Sequence, residues 1–261
     1  MSFQQDGDGC SMGKKLRVDK LLAHMGHGSR SEIKRAVKLG MVEVDGRVIK
    51  DSGLVVDPEA AEVTFDGVPV VYREVVYFMM NKPQGVISAT EDGRERTVID
   101  LLEPQDRLRD PFPVGRLDKD TVGLLLLTND GQLAHELLSP RKHVAKTYEA
   151  LVSGDVAEED KQFFKSGVTL DDGYVTMPAE LHISSREQRD DGIYSSISLT
   201  IMEGKFHQVK RMFEAVGKQV VHLKRVSMGP LKLDELLAEG SYRELSEEEV
   251  ELLRSHRKSA E

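Results

Sequence analysis

The sequence has little from which a covalent or metal framework could be built. It contains one cysteine, Cys10, among 261 residues, which excludes an intrachain disulfide and a cysteine-based metal site and fits the reducing cytoplasm. No apolar run approaches the length that crosses a bilayer. The first residues also lack the apolar core of a secretory signal, so residues 1–15 are expected to form a disordered tail.

Common cofactor-binding patterns are missing as well. The chain has no glycine-rich nucleotide-binding turn after a strand and no phosphate-binding P-loop. His24 and His27 flank Gly26 without a nearby residue that completes a metal site, so they are expected to be surface groups or phosphate contacts. The missing patterns remove NAD and ATP as simple expectations, and the sequence predicts no metal site.

Charge is segregated along the chain, although the net charge is −9. Residues 14–50 hold ten Lys or Arg and four Asp or Glu, and residues 205–225 hold six and one. Residues 234–251 hold eight acids and one arginine. Two basic segments in an acidic protein indicate surfaces for a phosphate backbone, whereas the acidic segment is typical of a solvated helix.

The N-terminal part of the chain predicts two short helices and a hairpin. Apolar residues of 16–26 recur at helical spacing, and Ser29 with Glu32 forms a capping box that begins a second helix. Residues 41–49 then surround an Asp-Gly turn. The second helix carries three cations at i, i+4 and i+8, namely Arg30, Lys34 and Lys38. Because like charges at this spacing repel, their presence indicates an anionic partner.

This order of elements resembles the alpha-L RNA-binding module, which a small-subunit ribosomal protein, tyrosyl-tRNA synthetases and several RNA-modifying enzymes share. The resemblance covers roughly residues 16–62 and implies that the three cations bind RNA. A helical cap with a charged face is the alternative. We expect this module and a linker to span residues 16–73 and a second domain to span residues 74–256.

From residue 75 onward, short strands alternate with turns and a few helices. The expected strands are 75–80, 123–128, 147–153, 193–202 and 219–226. The expected helices are 131–139, 157–166, 207–216 and 246–256. Strands without a regular helix between them predict an α+β domain on a mixed, largely antiparallel sheet, placed after the small helix-helix-hairpin domain.

The most informative segment is Val114–Gly131. Its apolar run, Leu124–Leu127, predicts a strand buried on both faces, and a tight loop that begins at Gly115 precedes it. That loop carries Arg116 and then Asp118. A carboxylate at the edge of a buried strand and beside a cation is suited to chemistry on a sugar–base bond.

Four blocks of this domain resemble the pseudouridine synthases, most closely the RsuA branch that acts on small-subunit ribosomal RNA. The blocks are Asn81–Ser88, Val114–Gly131, Ser139–Tyr148 and Glu203–Phe213. The resemblance covers nearly the whole chain. It implies an isomerase that detaches a uracil of 16S RNA from its ribose at N1 and rejoins it through C5, without a cofactor.

The resemblance also implies roles for single residues. Asp118 matches the catalytic aspartate, as nucleophile or as base toward the ribose, and Lys210 matches the cation that keeps it ionised, with Arg211 as its neighbour. Tyr148 matches the tyrosine that stacks on the flipped base. Arg116 is assigned to a phosphate or to the space that the base vacates, with a structural salt bridge as the alternative. The remaining RNA contacts are assigned to Lys82, Arg141 and Arg211.

Other functions remain open from the sequence. Sister branches share all four blocks, so 23S RNA is the alternative substrate, and a non-catalytic ribosome-associated RNA-binding protein would use the same basic surfaces. A glycoside hydrolase would use Asp118 and Asp120 as its carboxyl pair; otherwise Asp120 is assigned to the turn and His207 to the scaffold. The expected partner is ribosomal RNA in a small-subunit assembly intermediate, and the enzyme is expected to be monomeric, cytoplasmic and independent of membranes.

Overall fold

The computed structural model describes residues 15–259, which divide into two compact units. The first unit extends to Glu74 and includes residues 103–109, and the second comprises Val75–Leu102 and the chain from Asp110 onward. Most of the expected tail, residues 1–14 with Cys10, lies outside the described residues. None of the helices that the structure describes has the length and apolar character needed to cross a membrane.

The first unit consists of short helices and two small sheets around a core of its own. Its elements are β1 (Leu16–Arg17), α1 (Val18–His24), α2 (Arg30–Lys38), β2 (Val42–Val44), β3 (Arg47–Val48), β4 (Val55–Val56), β5 (Val63–Phe65), β6 (Val68–Pro69) and α3 (Pro104–Arg107). The expected capping box begins α2, where Ser29 N donates to Glu32 Oε2 at 2.7 Å. Ile33 and Val37 bury the apolar face of this helix.

The segment expected to be a linker contributes strands to this unit. Its strands are β5 and β6, and β5 pairs with β2 in a sheet of order β3-β2-β5-β6. Within the expected module, β4 pairs with β1. These strands have only two or three residues each, which is too short for an alternating pattern to identify them. Residues 103–109, expected within a continuous second domain, likewise belong to the first unit.

The second unit is built on one large mixed sheet. Its strands are β7 (Tyr77–Lys82), β8 (Phe112–Pro113), β9 (Val122–Thr128), β10 (Lys146–Ser153), β11 (Glu180–Arg189), β12 (Gly192–Ile201), β13 (Gln219–Met228), β14 (Leu231–Lys232) and β15 (Tyr242–Glu244). Its helices are α4 (Gly131–Leu138), α5 (Glu158–Ser166), α6 (Gln208–Ala215) and α7 (Glu247–Ser259).

The order of this sheet is β11-β12-β10-β13-β9-β7-β15, with β14 beside β13 and β8 beside β9. Neighbouring strands are antiparallel except β9 and β13, which are parallel. The predicted α+β fold with a mixed, largely antiparallel sheet is therefore confirmed. The expected strands and helices of this unit are present, and their ends differ from the prediction by at most three residues.

One long strand, β11, was not predicted. It lies at the edge of the sheet, and Leu181 is the one fully buried residue among its ten. A strand that is exposed on most positions lacks the alternation of apolar and polar residues by which strands are recognised.

The central strand β9 is buried along its whole length, as its apolar run predicted. Leu125 and Leu127 belong to the core that includes α6, while Leu124 and Leu126 belong to the core that includes α4. Because both faces are packed, β9 is a fixed support for the loop that precedes it. That loop, residues 114–121, carries Asp118.

Candidate active site

A cleft of about 350 Å³ opens in the second unit. Its wall is formed by the loop before β9, the turn before β10 and the segment that leads into α6, and β10 and β13 contribute to its floor. Three of the residues selected from the sequence line it: Arg116, Asp118 and Tyr148. Concave sites with a few convergent polar groups are the usual location of binding and chemistry.

Asp118 is partly exposed at the cleft, and Lys210 of α6 is its ion-pair partner. Lys210 Nζ donates to Asp118 Oδ2 at 3.1 Å and to Asp120 Oδ1 at 2.6 Å. Burial lowers the pKa of Lys210, but the hydrogen bonds to the two carboxylates more than offset this and raise it above its ordinary value. Lys210 therefore stays protonated and presents its positive charge to Asp118.

Asp120 and Asp118 share this one cation. The hydrogen bond from Lys210 lowers the pKa of Asp120 below its ordinary value. His207 lies nearby, at the start of α6, with a left-handed backbone of φ 48°. Its Nε2 is 3.6 Å from Asp118 Oδ1, and its ring stacks on Phe206 with centroids 3.8 Å apart.

Lys82 was predicted to contact RNA phosphates, and this prediction is wrong because its side chain is fully buried. Its ammonium group donates to the backbone carbonyls of Pro83, Asp118 and Thr121 at 3.0, 3.0 and 2.9 Å. Burial lowers the pKa of Lys82 to about 8, although Asp118 and Asp120 raise it. Each of the three N–H groups of the ammonium donates to one carbonyl, so Lys82 stabilises the loop that carries Asp118.

The rest of the first sequence block also holds this loop. Ser88 Oγ donates to Leu117 O at 2.9 Å and accepts from Leu117 N at 3.0 Å. Gly85 N donates to Lys119 O at 2.8 Å. Residues 81–88 therefore fix the backbone on which Asp118 is presented, a role that the residue types alone did not indicate.

Arg211 was predicted to contact RNA, but the structure gives its charge another partner. Its guanidinium pairs with Asp171 and with Asp172, at 2.7 Å from the latter. These two acids neutralise Arg211 and raise its pKa, so the structure does not support a phosphate contact. Between the two neighbours on α6, it is Lys210 that reaches Asp118.

Arg116 and Arg141 are both exposed, and both are available to a ligand. Arg116 lies on the wall of the cleft and forms no ion pair within residues 15–259, so the structural salt bridge that the sequence allowed is not observed. Arg141 lies on the short turn Pro140–Lys142, and Pro140 lines the cleft.

Two cations that received no role from the sequence lie at the floor of the cleft. Lys146 is 9% exposed and donates to Val144 O at 2.9 Å, and Arg225 is 2% exposed and donates through Nε to Leu124 O at 2.8 Å. The sequence did contain an indication of a role for Lys146. Lys146 and Tyr148 occupy inward positions of β10, and the other inward positions of this strand are apolar. Among the described residues, no group of three or more His, Cys, Asp or Glu could hold a metal ion.

Two parts of the chain match known families. Residues 76–215 match the family model described as RNA pseudouridylate synthase, and residues 16–61 match the S4 domain. The chain is 56% identical over 238 residues to "Uncharacterized RNA pseudouridine synthase YtzG" of Bacillus subtilis (strain 168), which covers 91% of this chain and 98% of that protein.

Two further relatives carry names for different ribosomal subunits. "Ribosomal small subunit pseudouridine synthase A" of Salmonella typhimurium is 41% identical and covers 90% of this chain and 98% of that protein. "Ribosomal large subunit pseudouridine synthase B" of Bacillus subtilis is 40% identical and covers 92% and 96%. A solved structure titled "Crystal structure of pseudouridylate synthase" matches with a TM-score of 0.61 and 36% identity over 91% of this chain and 99% of that chain.

Proposed function

The chain belongs to the RNA pseudouridine synthases, and we propose that it converts one uridine of small-subunit (16S) ribosomal RNA to pseudouridine, with Asp118 as the catalytic residue. The observation that carries this proposal is the ion pair between Lys210 and Asp118 in a cleft that Tyr148 also lines. An ionised carboxylate and an aromatic ring in one cleft are what chemistry at the ribose of an unstacked base requires.

In this proposal Asp118 acts on the ribose of a uridine that has left its stack. It attacks C1′ or removes a proton from the ribose, and the C1′–N1 bond breaks. The freed uracil turns and bonds to C1′ through C5, while the bond between Asp118 and C1′ breaks or Asp118 returns its proton to the ribose. C5 then loses its proton and N1 gains one. Lys210 keeps Asp118 ionised, Tyr148 stacks on the uracil, and Arg116 binds a phosphate or fills the place that the base left.

The choice of ribosomal RNA rests on local features. Relatives named for the small and the large subunit are 41% and 40% identical to the chain, so overall identity does not choose between them. The sequence of residues 207–212, His-Gln-Val-Lys-Arg-Met, and the acidic helix α7 favour 16S RNA as the substrate, within a small-subunit assembly intermediate. 23S RNA is the alternative substrate.

Cells that lack this chain should lose one pseudouridine of 16S RNA and keep those of 23S RNA. Carbodiimide modification followed by primer extension along both RNAs measures this. The wild-type chain should restore the modification, and Asp118→Asn should not. Loss of a 23S site would assign the large-subunit alternative, and an unchanged map of both RNAs would support a non-catalytic RNA-binding role.

The first unit offers a separate RNA-binding surface on α2. Arg30, Lys34 and Lys38 are exposed on this helix and form no ion pair within the part of the chain that the structure describes. We expect Lys34→Gln with Lys38→Gln to weaken RNA binding. The slope of log affinity against log salt should also fall, by roughly 0.7–0.9 for each phosphate that the variant no longer neutralises.

The rate of isomerisation at saturating RNA should stay near that of the wild type in this double variant. Lys161→Gln with Lys165→Gln, two substitutions on α5 of the other unit, is the matched control and should leave both quantities unchanged. If the RNA affinity and the salt slope of the double variant equal those of the wild type, the cationic face of α2 is solvated and does not bind RNA.

A further inference from the structure

Lys146 and Arg225 are buried cations that have no carboxylate partner in the described part of the chain. Neither forms an ion pair within the described chain, and Arg225 Nη2 has no hydrogen-bond partner although it is buried. Burial, followed by the charge of Arg225, lowers the pKa of Lys146 to about 8. Unpaired buried charge is unfavourable for folding, so two such groups in one cleft indicate an absent anionic or strongly polar ligand.

The sheet places both cations beside Tyr148. Lys146 and Tyr148 are two residues apart on β10, and the buried residues of this strand alternate, so the two side chains share one face. Arg225 of β13 is the registered antiparallel partner of Tyr148, which puts it on the same face. All three residues line the cleft. A ring stacked on Tyr148 would therefore have its edge near one or both cations.

The reaction produces a negative charge on such a ring. When the C1′–N1 bond breaks, its electron pair stays with N1 and is delocalised over O2 and O4 of the uracil. This holds whether Asp118 bonds to C1′ or removes a proton from the ribose. When C5 then bonds to C1′, the negative charge returns to Asp118, which leaves C1′ or gives its proton back to the ribose. C5 then releases a proton, and N1 accepts one. Between these steps, the detached base is an anion held in the cleft.

We infer that Lys146 and Arg225 bind the carbonyl oxygens of the detached uracil and stabilise its anion, and this inference rests on the proposed function. Arg225 Nη2, which has no hydrogen-bond partner among the residues that the structure describes, is the donor available to an oxygen of the ring. Donors fixed in advance at a site of developing charge lower the barrier because they need no reorganisation, and a low-dielectric cleft strengthens them.

The test uses Lys146→Met and Arg225→Met, which remove the charge and retain a shorter, unbranched side chain. Each should reduce the single-turnover rate of pseudouridine formation by about 10²–10³-fold on the ribosomal RNA fragment that contains the target uridine. RNA affinity should stay within about twofold of the wild type, since each interaction is made with the reacting base. The melting temperature should shift by no more than about 4 °C. Lys232→Met removes the same charge from an exposed position on β14 and should change none of these quantities.

A substrate with a better leaving group separates this role from a structural one. Fluorine at C5 makes N1 of uracil more acidic, so the base departs with less help. The loss of rate in both variants should therefore be smaller for consumption of 5-fluorouridine than for uridine at the same position. An equal loss on both substrates would overturn the inference, and so would a loss of RNA affinity as large as the loss of rate, which would assign the cations to a phosphate.

Two further outcomes remain distinct. If the wild type forms no pseudouridine in any ribosomal RNA, the proposed function itself fails. If the wild type is active and the variants keep its rate, only the role of the two cations fails. Should a methionine variant not fold, Lys146→Arg and Arg225→Lys keep the charge, and each must retain more activity than Lys146→Gln and Arg225→Gln for the inference to stand.

Discussion

Asp118→Asn should abolish pseudouridine formation and leave RNA affinity within about twofold of the wild type. The amide has the shape of the carboxylate and can still accept from Lys210, so the loop and the cleft should keep their geometry. It is neither a nucleophile nor a base, however, and loss of such a group typically costs about 10²–10⁴-fold in rate. Single-turnover conversion of the target uridine and filter binding of the same RNA measure the two effects.

Asp120→Asn is the matched control for this prediction. Asp120 accepts from the same ammonium group at 2.6 Å, but its side chain is 66% exposed, whereas that of Asp118 is 28% exposed. Removing its charge leaves Lys210 paired with Asp118, so the rate should fall by less than about tenfold. If Asp120→Asn reduced the rate as much as Asp118→Asn, both carboxylates and not Asp118 alone would take part in the reaction. If Asp118→Asn stayed active, the catalytic assignment would be wrong.

The position of Asp118 could be predicted because the information is local. An apolar run, a turn after it and a glycine-started loop before it lie within residues 114–131, and together they predict a buried strand with an acid at its edge. The structure places β9 and Asp118 in this way. The strands of the larger sheet were likewise recognisable wherever one of their faces is buried along the whole strand.

The functions of Lys82 and Arg225 could not be predicted because they depend on distant pairing. A lysine is usually exposed, so Lys82 suggested a phosphate contact. Lys82 is buried because β7 pairs with β9. This pairing brings the ammonium group of Lys82 within hydrogen-bond distance of a backbone carbonyl about forty residues away in sequence. Arg225 faces the cleft because β13 pairs with β10 in the register that places it opposite Tyr148. No local pattern specifies that register.

Lys82→Met should lower both the stability of the protein and its activity. Methionine fills a similar volume but leaves the carbonyls of Pro83 and Thr121 without their donor, whereas Asp118 O still accepts from Thr121 N at 3.1 Å. Each stranded buried carbonyl costs roughly 1–3 kcal/mol, and relief from burying a cation offsets only part of this, so the free energy of unfolding should fall by about 2–4 kcal/mol. Denaturant unfolding measures that change, and the rate is measured where the variant is still folded.

The activity of the folded Lys82→Met protein should fall as well, by about 10²-fold, because small displacements of a catalytic group are costly. Lys119→Met is the control on the same loop: its ammonium pairs with Glu95 at the surface, and the expected loss of stability is below about 1 kcal/mol. A Lys82→Met protein as stable and active as the Lys119→Met protein would show that the loop is held by its other hydrogen bonds.

The pH dependence of stability tests the same buried cation independently. Lys82 has a pKa of about 8 in the folded protein and an ordinary value of 10.5, so between these values the unfolded chain binds more protons than the folded chain. The free energy of unfolding of the wild type should therefore rise, relative to Lys82→Met, as the pH increases from about 8 to 10.5. Lys146 titrates in both proteins, so this difference reports on Lys82 alone. A difference that is constant or shrinks over this range would mean that the three carbonyls hold Lys82 charged, with its pKa at or above the ordinary value.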